Sequence, residues 1–92
     1  MKKSDLRNGS VVETRNGLRF LVVDDFMLLV GALWEFMTLH DYNNDLILKD
    51  GDGDDEFDIV RVNNYYQEGF INQALYQVLK EGKWTWERVE AK

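Results

Sequence analysis

Carboxylates recur at alternate positions in one stretch of the chain, a spacing that suits metal binding. Asp50, Asp52 and Asp54 match the first, third and fifth positions of an EF-hand loop, where side-chain oxygens ligate Ca²⁺. The match then fails, because Asp55 occupies the position that needs Gly for a sharp turn and Arg61 the position that needs a bidentate Glu. The flanking segments also favour strands over helices. We expect a solvated acidic loop and no metal site.

The residues available for nucleophilic catalysis are few. The chain has no Cys, and its single His, His40, stands next to Asp41. A triad of Ser10, His40 and Asp41 is conceivable, but adjacent His and Asp side chains rarely present the required geometry to each other. No Gly-rich loop precedes a helix with a Lys, as phosphate binding requires. We therefore predict that the protein is not an enzyme and holds no cofactor.

Aromatic side chains supply the remaining chemistry, since they stack on unpaired bases or anchor a peptide. The aromatic residues that could take this role are Trp34, Tyr65, Tyr66, Trp84 and Trp86. Because aromatic residues dominate small cores, we expect core packing for most of them. Tyr65 and Tyr66 stand in a polar stretch, and we expect this pair to be partly exposed. The candidate partner-binding residues are Tyr65, Tyr66, Asp52, Asp54 and Asp55.

Length and composition predict one soluble domain that spans residues 1–92, because chains divide into separate cores only at roughly two to three times this length. Apolar residues make up 45% of the chain, which is enough for a packed core. The absence of Cys fits a reducing cytoplasm. The longest apolar run, residues 26–39, is interrupted by polar residues and is shorter than the roughly 18 residues of a membrane span. We expect a cytoplasmic protein that does not enter a membrane.

Negative charge is concentrated in the middle of the chain. Residues 41–58 hold eight acids and one base, which gives −7, whereas the other residues sum to +1 and the whole chain to −6. An acidic protein gains no counterion release on DNA or RNA, so direct nucleic-acid binding is unfavourable. The same charge leaves an alternative open, an acidic decoy that mimics nucleic acid toward a host protein. Carboxylates spaced like phosphates along one face would favour that alternative.

Turn signals divide the first half of the chain into strands. Asn16-Gly17 joins two β-type runs, residues 10–15 and 18–23, and predicts a hairpin with a type I′ turn that has positive φ at both central residues. Residues 26–39 are compatible either with two strands joined by a type II′ turn at Gly31-Ala32 or with one buried helix, since a continuous apolar run does not reveal its period. We favour strands, because Gly31 lies mid-run between β-forming residues.

The second half predicts a strand, a helix and a last strand. Residues 57–62 favour a strand in which Ile59 alternates with Val62 across the two faces. Residues 70–81 have apolar residues at helical spacing, namely Ile71, Ala74, Leu75, Val78 and Leu79, and Gly82 stands where a left-handed cap belongs. Residues 83–89 predict a strand with Trp84 and Trp86 on one face. We expect a β-rich fold with one late helix, either a small SH3-like barrel or a strongly curved antiparallel sheet.

Four motifs spread over nearly the whole chain resemble a group of short, uncharacterised proteins encoded by phages and prophages of Gram-positive bacteria. The motifs are Lys3-x-x-Leu6-Arg7-x-Gly9-x-x-Val12-x-x-Arg15-x-Gly17, Leu39-x-x-Tyr42-x-x-Asp45-Leu46, Phe57-Asp58-Ile59-Val60-Arg61-Val62 and Trp86-Glu87-Arg88. The resemblance implies an SH3-like small barrel, a mobile-element origin and the cytoplasm of a bacterial host. It implies no activity and no functional residues.

Taken together, the residues favour a small binding module that acts through macromolecular interaction, with a protein as partner. The acidic decoy is the alternative, and an enzyme is a distant third.

Overall fold

The computed structural model describes residues 1–49, 56–65 and 73–89, and the first half of the chain forms a meander of four antiparallel strands. The strands are β1 (Val11–Thr14), β2 (Arg19–Val23), β3 (Phe26–Leu29) and β4 (Ala32–Thr38). Residues 26–39 are thus strands and not one helix, as we favoured. The turn between β3 and β4 is Val30-Gly31, with Gly31 at φ 96°. Positive φ falls at its second central residue, so the type II′ turn predicted at Gly31-Ala32 is wrong by one position.

The first hairpin is confirmed, but its turn differs from the prediction. Gly17 has a φ of 88°, whereas Asn16 does not adopt positive φ. The Gly17 N–H donates to the Thr14 carbonyl oxygen at 2.9 Å, and the Thr14 N–H donates to the Leu18 carbonyl oxygen at 2.9 Å. The loop therefore has three residues and ends on a left-handed Gly, which is the next commonest hairpin connection after the two-residue turns.

The second half of the chain adds two strands beside β1. β5 (Ile59–Asn63) pairs antiparallel with β1, and β6 (Trp86–Glu87) pairs with β5. The strand order is β4-β3-β2-β1-β5-β6, so β4 and β6 are the edges of the described sheet, which is open. The prediction of a β-rich fold with antiparallel pairing is confirmed.

A bulge in the β1–β5 pairing overturns the predicted alternation of residues 57–62. Glu13 pairs with Arg61, but the next residue, Thr14, pairs with Ile59, so Val60 is the extra residue. One extra residue shifts the side-chain alternation of a strand by one position. Ile59 and Val62 consequently lie in the same core cluster, where both are fully buried.

The main core lies on one side of the sheet, which we call the inner face. Its buried residues are Val12, Phe20, Val22, Met27, Leu39, Tyr42, Leu46, Ile59 and Val62. The segment after β4 covers this face, beginning with a 3₁₀ turn at Leu39–Asp41. The Lys3 ammonium donates to the Leu39 and Tyr42 carbonyl oxygens at 3.2 and 2.8 Å and ties the N-terminal segment to this cover. These contacts leave the inner face closed to solvent.

The opposite side of the sheet, the outer face, bears the helix. The helix α1 (Gln73–Tyr76) continues as a π-helical turn, Gln77–Glu81, and ends at Gly82, whose φ of 62° confirms the predicted cap. Ala74 and Val78 pack on Val11 as part of the predicted stripe. Leu79 is wrongly assigned to that stripe, because the wider π turn changes the angular spacing and leaves its side chain half exposed. Ile71 lies outside the described residues.

The two C-terminal Trp residues lie on opposite faces, against the prediction. Trp84 packs with Val11 and Val78 on the outer face, whereas Trp86 packs against the inner core. Only Trp86 belongs to β6, so the alternation that would bring both side chains to one face does not extend back to Trp84. Within the described ranges, no helix is long and apolar enough to cross a membrane.

Candidate functional site

The helix covers only part of the outer face and leaves apolar side chains of β3 and β4 in solvent. Leu21 pairs with Leu28, and Leu28 pairs with Phe36, so these side chains share the outer face. Phe26 is 45% exposed, Phe36 57% and Trp34 78%. We call Phe26, Leu28, Val30, Trp34 and Phe36 the apolar patch. Contiguous exposed apolar side chains of this kind mark an interaction surface, whereas scattered single ones do not.

An irregularity in β4 exposes Trp34. Leu28 pairs with Phe36, but the next residue, Leu29, pairs with Ala32, so residues 33–35 have no partner in β3. The chain here protrudes from the regular ladder, and Trp34 is its central residue. Bulges of this kind re-aim side chains and are frequent at sheet edges and binding sites.

Two aromatic rings of the patch are held against each other. The ring centroids of Phe26 and Phe36 lie 5.4 Å apart, with their planes at 86°, in an edge-to-face arrangement. This geometry is favourable, because the positive edge of one ring meets the negative face of the other. The two rings therefore contact each other in the absence of a partner.

A groove runs between the helix and the protruding part of β4. It has a volume of about 550 Å³ and is lined by Leu21, Val30, Gly31, Trp34 and Leu75. All of the side chains that line it in the described part of the chain are apolar. A concave apolar site of this size falls within the roughly 300–1,000 Å³ that is usual for sites of recognition.

The chain segment that contains the apolar patch carries acids and no Lys or Arg. Residues 20–48, which contain β3 and β4 entirely, include no Lys or Arg but five acids, Asp24, Asp25, Glu35, Asp41 and Asp45. Asp24 and Asp25 form the turn that leads into Phe26, and Glu35 stands between Trp34 and Phe36 in β4. We call Asp24, Asp25 and Glu35 the acidic rim, and all three are exposed.

Two arginines of the outer face share one buried carboxylate. Glu13 is 8% exposed and accepts from Arg19 Nε and Arg61 Nη1, each at 3.0 Å. Both guanidinium groups also lie over the Trp84 ring, at 5.8 and 6.0 Å from its centroid. This cluster holds β1, β2, β5 and the C-terminal segment together.

The residues predicted to bind a partner are placed only in part. Tyr65 is 42% exposed, in agreement with the prediction, and its N–H donates to Asn63 Oδ1 at 2.9 Å. Tyr66, Asp52, Asp54 and Asp55 lie outside the described residues. The expectation that Trp34 belongs to the core is wrong, since its side chain is the most exposed of the Trp residues. The run of apolar residues around Gly31 was the sequence signal for this surface. It did not reveal that part of the outer face is left uncovered.

The three residues of the conceivable triad have separate partners. Ser10 is buried, and its Oγ accepts from the Arg7 N–H at 3.1 Å. His40 Nε2 lies 3.3 Å from an Asp25 carboxylate oxygen, with both side chains exposed. Asp41 accepts from the Thr38 hydroxyl.

Among residues 1–49, 56–65 and 73–89, no group of three or more His, Asp or Glu side chains is arranged to hold a metal ion. The Asp50–Asp52–Asp54 spacing falls outside these ranges.

Comparisons with known proteins leave the site to be interpreted from its own geometry. No protein-family description, curated protein or solved structure matches the chain.

Proposed function

We propose that the protein is a small binding module that associates with another protein through the apolar patch. The exposure of Trp34 carries the proposal. The Trp34 side chain is 78% exposed at the centre of a protrusion, close to the Phe26–Phe36 pair. Burial of this large apolar surface in an interface would be favourable. Aromatic anchors of this kind contribute most of the binding energy in many protein interfaces.

The position of β4 at the sheet edge supports the same function. An edge strand presents backbone N–H and C=O groups to solvent and is a natural place for a partner to attach. Proteins that avoid association usually protect such strands with Lys or Pro. β4 contains neither, and Glu35 is its only charged residue.

The fold and origin belong to this proposal as well. We assign the sheet to the SH3-like small barrels, because a four-strand meander whose first strand also pairs with β5 is the arrangement expected of that class. From the sequence resemblance alone, we assign the chain to phages or prophages, acting in the bacterial cytoplasm. The acidic decoy is less well supported, since Glu13 and Asp58 are buried and paired with arginines.

The test is a comparative capture experiment from cells of the native host. Wild type, Trp34→Ser, Phe36→Ser and Val89→Ser are immobilised, and the bound proteins are quantified by mass spectrometry. Val89 is the matched control, because it is an apolar side chain that is 96% exposed and not part of the patch. We expect a protein that wild type and Val89→Ser retain and that both patch variants lose. Equal retention by all four proteins would contradict the proposal.

A further inference from the structure

We infer that the partner of the apolar patch is an acidic segment of another protein that is anchored by apolar side chains. The inference rests on the proposed binding function and adds the chemistry of the occupant. In this arrangement, apolar side chains of the segment enter the groove between α1 and β4. A carboxylate beside them on the same segment binds the Arg19 guanidinium group at the edge of the groove.

Apolar side chains of a partner suit the lining of the groove. In the described part of the chain, the lining side chains are those of Leu21, Val30, Trp34 and Leu75. A polar group entering here would lose its hydration without gaining a side-chain partner. Aliphatic or aromatic side chains gain from burial against the same surface.

The strand register places Arg19 beside the groove. Phe20 pairs with Leu29 in the β2–β3 ladder. The next pair along the ladder is Arg19 with Val30, whose N–H donates to the Arg19 carbonyl oxygen at 3.0 Å. Side chains of such cross-strand neighbours lie on the same face, with Cβ atoms roughly 4.5–5.5 Å apart. A carboxylate next to an apolar side chain that contacts Val30 is therefore within reach of Arg19.

The Arg19 guanidinium group has donors left for a second carboxylate. Its Nε donates to Glu13 Oε2 at 3.0 Å, and the side chain is 40% exposed. Among the described residues, its two Nη groups have no hydrogen-bond acceptor. Glu13 is shared with Arg61, which donates to its other carboxylate oxygen, while the exposed Glu87 lies 3.6 Å from Arg61. A carboxylate of a partner can therefore bind Arg19 through charge-assisted hydrogen bonds.

Trp84 connects the arginine to the groove. The Arg19 guanidinium carbon lies 5.8 Å from the centroid of the Trp84 ring. Trp84 packs in the same outer-face cluster as Leu21 and Leu75, which line the groove. A guanidinium group held over an aromatic ring loses less freedom when it binds a carboxylate. The charged and the apolar parts of the site are therefore supported by the same side chains.

The acidic rim does not occupy this site. Asp24 and Asp25 lie at the opposite end of β3 from Val30 and line a separate pocket, and Glu35 does not line the groove. The net charge of −6 opposes an acidic partner at long range, but salt screens exposed charges over about 8 Å at physiological ionic strength. A short segment can therefore bind at Arg19. Nucleic acids and anionic membranes would meet the negative charge of the whole chain.

Two peptides of opposite charge test the inference against the net charge of the chain. One contains Leu and Glu in amphipathic order, and the other has Lys in place of every Glu. Binding to the full chain is measured by isothermal titration calorimetry at physiological ionic strength. We expect the Glu peptide to bind about tenfold or more tightly than the Lys peptide. Nonspecific attraction to a chain of net charge −6 would give the opposite order.

Protein variants separate the contribution of Arg19 from that of the patch. Arg19→Gln should weaken the Glu peptide about tenfold, because the charge-assisted hydrogen bonds are lost. Lys2→Gln is the matched control, since it changes the net charge equally at an exposed residue of the N-terminal segment, and it should have no effect. Arg19→Lys keeps a cation for Glu13 but lacks the planar fork of donors, so it should weaken the Glu peptide by a smaller factor. Trp34→Ser should weaken both peptides, and melting curves establish that each variant is folded.

Four outcomes would overturn the inference, and they differ in what they leave standing. Equal binding of both peptides, lost in Trp34→Ser, would remove the charge selection and leave the binding function intact. Tighter binding of the Lys peptide, or binding of the Glu peptide that both Arg19 variants leave unchanged, would show that Arg19 does not select the partner. If neither peptide binds and sedimentation detects a dimer that Trp34→Ser dissociates, the occupant is a second copy. If neither peptide binds and the chain is monomeric, an acidic segment is not the occupant, and the capture experiment decides the binding function separately.

Discussion

The rings of Phe26 and Phe36 contact each other edge to face across the β3–β4 hairpin, with their centroids 5.4 Å apart, although both side chains remain about half exposed. Each ring restricts the rotamers of the other, so a partner that binds here has little further side-chain motion to restrict. Preorganisation reduces the entropic cost of binding. The geometry of the pair therefore favours a role for the outer face in binding a partner.

The first prediction contrasts two Trp residues in different environments. Trp34→Ser should change the free energy of unfolding by less than about 0.5 kcal/mol, because the side chain is mostly in solvent. Trp86→Ser should cost about 2–3 kcal/mol, since it removes a large side chain that packs against the inner core. Urea denaturation of both variants provides the comparison. Similar losses in the two variants would mean that Trp34 contributes to the fold and not mainly to a surface.

The second prediction concerns the carboxylate between two arginines. Glu13→Gln should destabilise the domain by about 2 kcal/mol, because the two guanidinium groups lose their shared counter-charge on the covered part of the outer face. Both arginines are partly exposed, which keeps the loss below the roughly 3–5 kcal/mol of fully buried pairs. Glu87→Gln is the control, since that exposed carboxylate lies 3.6 Å from Arg61 and should contribute little. An equal effect of the two substitutions would refute the role assigned to Glu13.

The third prediction is a pH dependence from a buried tyrosine. The Tyr42 hydroxyl donates to the Phe57 carbonyl oxygen at 2.7 Å. Burial raises the pKa of Tyr42 above its ordinary value of about 10, and the negative charges of Asp58 and Asp41 raise it further. Above about pH 10 the unfolded chain loses this proton while the folded chain keeps it. Stability is therefore fully present below pH 10 and declines above it, by up to roughly 1.4 kcal/mol per pH unit.

Tyr42→Phe separates this effect from other alkaline changes. The variant should lose about 1–2 kcal/mol near neutral pH, because the Phe57 carbonyl oxygen is left without its donor. Its stability should then fall less steeply than that of wild type above about pH 10. Thermal denaturation across the alkaline range measures both slopes. Parallel slopes in the two proteins would show that Tyr42 is not the group responsible.

The fourth prediction tests the first hairpin. Gly17→Val should cost about 2 kcal/mol, because a β-branched residue tolerates a φ of 88° poorly. A Cβ at this position would meet no atom within 4 Å, so the cost comes from the backbone and not from a clash. Gly17→Asn should cost less, since Asn adopts the left-handed region more readily. Chemical denaturation measures the stability of both variants. Two variants as stable as wild type would contradict the turn geometry.

Turn chemistry made much of the fold predictable. Asn16-Gly17 located the first hairpin, and Gly31 separated β3 from β4, because each supplies a residue that tolerates positive φ where the chain reverses. Gly82 marked the end of the helix for the same reason. The turn types were not predictable, since they depend on how the flanking strands pair.

Features that depend on tertiary packing were not predictable from the sequence. Leu46 adopts a φ of 65°, which is unusual for such a residue, yet it is fully buried. Asn43 Oδ1 accepts from the Asp45 and Ile47 N–H groups and fixes the chain around it, while burial of the Leu46 side chain offsets the strain. The bulge that exposes Trp34 is likewise a property of the β3–β4 pairing, so the apolar patch could not be distinguished from core in the sequence alone.

Site-specific photo-crosslinking tests the central claim most directly. A photoreactive phenylalanine analogue replaces Phe36 in one variant and Val89 in another, and each is expressed and irradiated in cells of the native host. The account predicts a discrete crosslinked protein from position 36 that position 89 does not yield and that the Trp34→Ser substitution abolishes. Crosslinks of the same pattern from both positions, or a product at position 36 that persists in Trp34→Ser, would contradict it.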